Sequence, residues 1–251
     1  MRAASKLLLL TVVVAACVSP TAAQYTTPIA QSARSGALGG GFFYCPADRV
    51  ATLDYRCAYL LPALADKSAG VQLPVGVGTA VAAYSHHGDA AWHEQQVLLG
   101  YSLQATPWLH VGVAARGLHR GTGDAHYEVR RWLAPSALVQ ASLRHATLTL
   151  VGGTRPWDDR HPWRMHLQAA YRPTRQWLTL AEVEREERTR LRLGVEYVYD
   201  GWCALRAGLA TAPVVLTAGV GFRTGHYSFD LAVGMHSALG VTPQTSLSLW
   251  F

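Results

Sequence analysis

Charge is scarce in this sequence. Charged residues make up 15% of the 251 positions, whereas a soluble domain carries roughly a quarter. Lysine is the rarest cation, because only Lys67 remains after the first two dozen residues. A soluble β-sandwich would display Lys, Glu and Thr on its exposed face, so that class is disfavoured. The net charge of +6 comes without a basic run, and nothing therefore supports nucleic-acid binding.

Long apolar runs are also missing beyond the N-terminus. No later stretch reaches the ~18 uninterrupted apolar residues that a membrane helix needs. Hydrophobic residues nevertheless make up 50% of the chain, with 8 Trp and 11 Tyr. A surface that is rich in apolar and aromatic residues but has no membrane helix indicates another way of meeting lipid.

Residues 1–23 read as a secretion signal. Arg2 and Lys6 form a basic start, residues 7–17 form a short apolar core, and Thr21-Ala22-Ala23 supplies small residues before Gln24. The core is too short for a membrane anchor. A lipoprotein processing box at Val14-Ala15-Ala16-Cys17 remains an alternative, and it would leave Cys17 acylated.

Three cysteines follow the predicted signal: Cys45, Cys57 and Cys203. Export permits oxidation, so a Cys45–Cys57 bridge is one possibility and unpaired thiols are the other. No CxxC or Cys/His spacing indicates a metal site, and no other feature indicates a cofactor.

Apolar residues recur at every second position from about Val71 to the C-terminus. Residues 226–236 show this best, because five large residues share one face: Tyr227, Phe229, Leu231, Val233 and Met235. Ser228, Asp230, Ala232, Gly234 and His236 fall on the other face. A helix would scatter the five large residues around its circumference, so the spacing predicts a strand.

Similar runs of roughly ten residues repeat along the chain with turn-like segments between them, and Asp200-Gly201 is a strong hairpin signal. Strands are expected near 70–84, 91–104, 107–118, 132–144, 146–154, 164–172, 176–186, 189–199, 203–211, 214–223, 226–236 and 243–251, with a further candidate at 50–61. One face of each would meet lipid and the other a lumen. The prediction is an all-β fold, an antiparallel transmembrane β-barrel of 12–14 strands over residues 49–251.

The chain ends in an alternating aromatic strand. Leu247, Leu249 and Phe251 share one face of Ser246-Leu-Ser-Leu-Trp-Phe251. This spacing suits capture of the last strand by edge pairing with alternate side chains in pockets. It resembles the signal that the outer-membrane barrel assembly machinery reads, so that machinery and outer-membrane lipid are the expected partners.

Two stretches resemble one superfamily. They are Ala33-Arg-Ser-Gly-Ala-Leu-Gly-Gly40, and a C-terminal set formed by Leu191-Arg-Leu-Gly-Val-Glu-Tyr197, Leu205-Arg-Ala-Gly-Leu209, Pro213, Asp230-Leu-Ala-Val-Gly-Met-His236 and Leu239-Gly-Val-Thr242. Both are similar to fatty-acid-transporter-like outer-membrane barrels, especially the Bacteroidetes branch with type IX secretion components. The resemblance implies that residues 24–48 enter or plug the lumen; a flexible leader is the alternative.

Charged residues on the predicted lumen side form the candidate site: Arg190, Arg192, Glu196, Arg206, Arg223, Asp230 and His236. A salt-bridged polar core is favoured over an anion-attracting or ligand-binding lining. His236 and Ser237 point to opposite faces of a strand, so they do not form a catalytic dyad easily, and an enzyme is not expected.

These observations predict a non-enzymatic scaffold or secretion-associated barrel in the outer membrane, with a largely filled lumen and with other secretion or surface components as partners. A transporter or channel for small hydrophobic molecules is the alternative, and an outer-membrane lipid hydrolase is the third possibility.

Overall fold

The structure is a computed structural model that describes residues 49–123, 129–154, 163–185 and 189–251. Fourteen strands fill most of these ranges: β1 Val50–Cys57, β2 Ala65–Val75, β3 Gly78–Gly88, β4 Trp92–Thr106, β5 Leu109–Thr122, β6 Arg130–Ser142, β7 Ala146–Thr154, β8 Trp163–Tyr171, β9 Trp177–Arg185, β10 Thr189–Tyr199, β11 Cys203–Ala210, β12 Val215–Thr224, β13 Tyr227–His236 and β14 Gly240–Trp250. Two short 3-10 turns, Ala58–Leu60 and Pro62–Leu64, join β1 to β2. The predicted signal peptide, the possible plug and Cys45 lie outside the described residues.

The strands form a closed antiparallel barrel. Each strand pairs with the next in sequence, and β1 closes the ring by pairing with β14 from Val50↔Trp250 to Arg56↔Gln244. Closure leaves no sheet edge, which matters because unpaired backbone groups are costly in hydrocarbon. The predicted all-β transmembrane barrel is thus confirmed, with fourteen strands. Within the described ranges, no helix is long and apolar enough to cross a membrane.

Burial alternates along the strands because successive side chains point to opposite sides of the wall. On β13, Phe229 and Leu231 are exposed on the outer surface, whereas Ser228 and Asp230 are each 1% exposed. Large apolar residues thus cover the outside and polar residues line the inside, the reverse of a soluble protein. This distribution suits a wall between lipid and lumen.

One predicted strand was wrong. The segment 70–84 is divided between β2 and β3, and the chain turns at Gly76 and Val77. Gly76 has a φ of 59°, which glycine adopts without steric cost. Alternation continues across this two-residue turn, so the pattern alone did not show it. The predicted hairpin at Asp200-Gly201 is present, and both residues have positive φ, 46° and 76°.

The two rims of the barrel differ in their connections. The first rim, called the turn rim here, holds the start of β1 and the end of β14, and its connections are two to five residues long. The opposite rim, called the loop rim, has connections of three to eight residues. Short turns face the periplasm and longer loops face outward in outer-membrane barrels, so we expect the loop rim to be the extracellular one.

Candidate functional site

Most charged side chains on the inner wall form ion pairs between neighbouring strands. Among the described residues, eight that carry a charge are buried there: Glu94, Arg116, Arg164, Glu182, Glu184, Glu196, Arg206 and Asp230. Antiparallel register brings side chains of one face opposite each other on adjacent strands. The pairs therefore follow the ladder and fall into separate groups along the wall.

The largest group surrounds two glutamates of β9. Glu184 accepts a 2.6 Å hydrogen bond from Arg164 Nη2 and a 3.0 Å bond from Arg192 Nη2, and Arg190 Nη1 lies 3.6 Å from the same carboxylate. Glu182 Oε2 lies 3.3 Å from Arg192 Nη1. Three guanidinium groups thus face two carboxylates, and this geometry joins β8, β9 and β10 through their side chains.

Polar neighbours complete the glutamate group. Gln168 Nε2 donates to Glu182 Oε1 at 3.1 Å, and His166 Nε2 lies 3.5 Å from Glu182 Oε2. Both residues come from β8, the strand that also supplies Arg164. Buried carboxylates are stable only where several donors replace water, and β8 supplies two of those donors, Arg164 and Gln168.

A second group, the Arg206 triad, consists of Glu196, Arg206 and Asp230. Arg206 Nε donates to Glu196 Oε2 at 2.7 Å and Nη1 donates to Asp230 Oδ1 at 2.6 Å. Ser228 Oγ donates to Asp230 Oδ2 at 3.0 Å. Glu196 lies directly opposite Arg206 in the register, but Asp230 is reached across β12. The small Gly221, opposite Asp230, leaves the space that the guanidinium occupies.

Two smaller groups also lie near the loop rim, as the glutamate group does. Asp66 forms an ion pair with Arg56, and its Oδ1 lies 2.6 Å from His87 Nδ1, within hydrogen-bond distance. Arg120 donates to Glu94 through Nη2 at 2.9 Å. Together with the Arg206 triad and the glutamate group, these pairs place ionic cross-links around much of the described wall.

The predicted site residues separate in space. Arg190 and Arg192 belong to the glutamate group, and Glu196, Arg206 and Asp230 form the triad. Arg223 lies apart, with its guanidinium carbon 4.8 Å from the centre of the Trp250 ring near the turn rim. His236 lies near the loop rim, where Nδ1 accepts bonds from the backbone N–H groups of Ala238 and Leu239, both at 3.1 Å.

Sequence reasoning missed the acidic partners of Arg190 and Arg192. Glu182 and Glu184 alternate with Ala181 and Val183 in a predicted strand, the same signal that identified Glu196. The buried residues Arg164 and Arg116, which also lie at alternate positions of predicted strands, were likewise left out of the predicted site. A search of every predicted strand for charges at alternate positions would have found all four.

The inner wall also carries an apolar cluster, called the luminal apolar cluster here. It contains Val81, Ala114, Leu138 and Val151, with Leu98 packed against it, and comes from five consecutive strands, β3 to β7. Leu138 and Val151 are 1% and 0% exposed. A second, separate apolar group, Ala170, Leu178 and Leu180, lies on β8 and β9. Barrel interiors are usually polar, so this surface is a distinguishing feature.

The residues of the predicted assembly signal lie on the closing strand. Leu247 and Leu249 pair opposite Leu53 and Ala51 of β1, and the N–H of Phe251 donates to the Arg49 carbonyl at 3.2 Å. Leu247 and Phe251 are exposed on the outer surface. Within the described part of the chain, no group of three or more His, Cys, Asp or Glu is arranged to hold a metal ion. Cys57 and Cys203 are free thiols.

No family model matches the chain, and no curated protein does. Solved structures do match. The outer-membrane protein Omp33 of Acinetobacter baumannii aligns with a TM-score of 0.58 and 11% identity, over 82% of this chain and 98% of that one. The CymD monoaromatic hydrocarbon channel aligns with a TM-score of 0.60 and 9% identity, over 90% of this chain and 96% of that one. The toluene transporter TodX of P. putida aligns with a TM-score of 0.57 and 10% identity, over 89% of this chain and 90% of that one.

The protein is an outer-membrane β-barrel. Fourteen closed strands and these structural neighbours establish the fold and the location. Identities near 10% show the fold alone, and they do not identify a solute. One neighbour is an outer-membrane protein and the other two are a hydrocarbon channel and a toluene transporter, so the outer-membrane barrel part of the resemblance is supported. The type IX secretion branch is not supported.

Proposed function

We propose that the protein is an outer-membrane channel for small hydrophobic molecules. The observation that carries the proposal is the luminal apolar cluster, a patch of packed apolar side chains on the inside of a wall that is otherwise polar and charged. The fold is shared with two channels for aromatic hydrocarbons. Of the sequence-based expectations, the channel alternative is therefore better supported than the scaffold.

The chemistry of the wall favours apolar over charged solutes. An apolar molecule gains about 25 cal/mol for each Å² of surface removed from water. The partly exposed Leu98 offers a solute such contact, whereas Leu138 and Val151 are packed within the cluster, and a solute reaches them only when the cluster parts. Inner charges such as Glu184 and Arg206 already bond partners on neighbouring strands. Their role in this proposal is to stiffen the wall, and the apolar cluster selects the solute.

The test measures hydrocarbon uptake by intact cells, because the outer membrane is the barrier that such a channel would bypass. Cells expressing the protein should take up radiolabelled toluene faster than cells without it. Leu138→Asn keeps the branched shape of the side chain but places an amide in the apolar cluster, so it should lower the uptake rate. Leu143→Asn is the matched control, since Leu143 is 69% exposed in a short turn, and it should leave uptake unchanged.

An unpaired buried amide costs about 1–3 kcal/mol, so Leu138→Asn can reduce the amount of folded protein. The amount of folded protein in the outer membrane is therefore compared between variants by the heat-modifiable band on a denaturing gel. Two outcomes oppose the proposal. Uptake that does not depend on the protein would favour the scaffold. Fast sugar entry in liposome swelling, unchanged in Leu138→Asn, would indicate a general porin instead.

A further inference from the structure

A row of polar and basic side chains crosses the outer surface of six strands. The ladder pairs Tyr55 with Lys67, Lys67 with His86, His86 with Gln95, Gln95 with His119, and His119 with Arg131. Directly paired residues project from the same face of a sheet. Tyr55, Lys67 and Arg131 are exposed, so the whole row, called the basic row here, lies on the outside.

The basic row lies close to the loop rim. Each member is at most three residues from the loop-side end of its strand. At that level, the outer surface of a barrel meets the headgroups of the outer leaflet. Lys67 is also the single lysine after the predicted signal, which makes its position on the lipid-facing side notable.

A further histidine extends the basic row toward the rim. The rings of His86 and His93 are stacked with centroids 6.0 Å apart, and those of His93 and His119 are 5.9 Å apart. Gly121, opposite His93, has no side chain, and a Cβ there would lie 2.8 Å from His93 Nε2. The ring therefore has room beside the strand because residue 121 is glycine. Several imidazole N–H donors thus gather beside Lys67 and Arg131.

An apolar row lies one pleat below the basic row. Its members also pair in register across the same six strands: Leu53, Ala69, Tyr84, Val97, Gly117 and Leu133. The two small residues leave depressions in the outer surface. One lies at Ala69 between Leu53 and Tyr84, and the other lies at Gly117 between Val97 and Leu133. A Cβ on Gly117 would meet no atom within 4 Å.

Each depression has cations at its upper edge. Lys67 borders the depression at Ala69, and His119 and Arg131 border the one at Gly117. An apolar groove below a cationic edge matches an amphiphile with acyl chains and an anionic headgroup. Phosphate oxygens accept strong charge-assisted hydrogen bonds from guanidinium and ammonium groups.

Arg185 on β9 is exposed and faces outward at the loop rim, but the other described strands carry no comparable row there. Their outward residues near that rim include Leu191, Leu209, Leu216, Met235 and Val241, all of them exposed and apolar. The basic row is therefore local to one side of the barrel, and a uniform ring at headgroup level does not explain it.

We propose that the outer face of β2–β6 binds the phosphorylated glycolipid of the outer leaflet, with an acyl chain in the depression at Gly117 and phosphate against His119 and Arg131. Charge complementarity and the position below the extracellular rim select this occupant over an uncharged lipid. The site is independent of what passes through the lumen.

The test measures binding of bis-phosphorylated lipid A to the purified full-length barrel by native mass spectrometry from detergent. The double variant His119→Ala/Arg131→Ala should weaken binding by about tenfold or more, because two charge-assisted contacts are removed. Gly117→Trp should fill the depression and weaken binding while both cations remain. Arg144→Ala/Arg172→Ala removes two exposed cations at the turn rim and should have no effect.

Two further lipids separate the contributions of chain and charge. Dephosphorylated lipid A should bind wild type and the double variant equally weakly. Phosphatidylglycerol should bind more weakly than lipid A. The proposal is overturned if the double variant and the turn-rim control behave alike with lipid A, or if phosphatidylglycerol binds as tightly as lipid A, since the site would then accept any anionic lipid.

Discussion

Arg206 holds two carboxylates together inside the barrel wall. Its guanidinium bonds Glu196 and Asp230, and all three residues are buried. Two carboxylates without the arginine would repel each other where little water screens them. Removal of one buried partner is costly because the remaining charges lose their compensation. The triad is therefore a sensitive point in the stability of the barrel.

Arg206→Met is expected to destabilise the barrel by ~3–5 kcal/mol because it leaves two buried carboxylates unpaired. Glu196→Gln should cost less, since Arg206 keeps Asp230 and the amide still presents an acceptor oxygen. Thermal unfolding of the purified barrel in detergent measures both changes.

The triple variant Glu196→Gln/Arg206→Met/Asp230→Asn removes all three charges and should recover part of the loss, because uncharged groups carry no uncompensated charge. Arg144→Met, at an exposed turn position, is the control. A triple variant less stable than Arg206→Met alone would show that charge imbalance is not the cause.

The partners of the arginines were only partly predictable from the sequence. Glu196 and Arg206 were both placed in one salt-bridged polar core, and they do pair across the hairpin at Asp200-Gly201. Arg192 was expected in the same network, but it bonds Glu182 and Glu184 on its other neighbour, β9. An inward arginine has a neighbour on each side, and the sequence does not show toward which strand its long side chain leans.

At the scale of the strand, facing follows directly from the alternation. Leu231 is exposed on the outer surface in the middle of β13, and Ala232 beside it is buried inside. A period of two assigns both residues without knowledge of the fold. The start and end of a hairpin are harder, as the turn at Gly76-Val77 shows, because two turn residues preserve the same period.

Leu231→Arg is expected to destabilise the folded barrel by ~2–4 kcal/mol, because a guanidinium near the bilayer midplane loses its hydration. Leu239→Arg introduces the same side chain in the connection between β13 and β14 and should be close to neutral. Equilibrium unfolding from lipid vesicles compares the two. Equal stability of both variants would argue against lipid contact at Leu231.

At the scale of the whole molecule, an even number of strands places both barrel ends on the turn rim. β1 starts there and β14 ends there, paired from Val50↔Trp250 onward. The fold class and the closure were predictable because the alternation continues from about Val71 to the C-terminus. The luminal apolar cluster was not, since Val81, Leu138 and Val151 lie on separate strands and only the closed ring brings them together.

The orientation of the barrel is the last prediction, and the proposed lipid site depends on it. Ala90 lies in the β3–β4 connection of the loop rim, and Val77 lies in the β2–β3 turn at the other rim, where it is 86% exposed. Each is replaced by Cys after Cys45, Cys57 and Cys203 are changed to Ser. A bulky, membrane-impermeant maleimide should label Ala90→Cys on intact cells, because long loops face outward. Val77→Cys should react only after the outer membrane is permeabilised. The opposite pattern would place the basic row against the inner leaflet, where the phosphorylated glycolipid is absent, and the lipid site would fail with it.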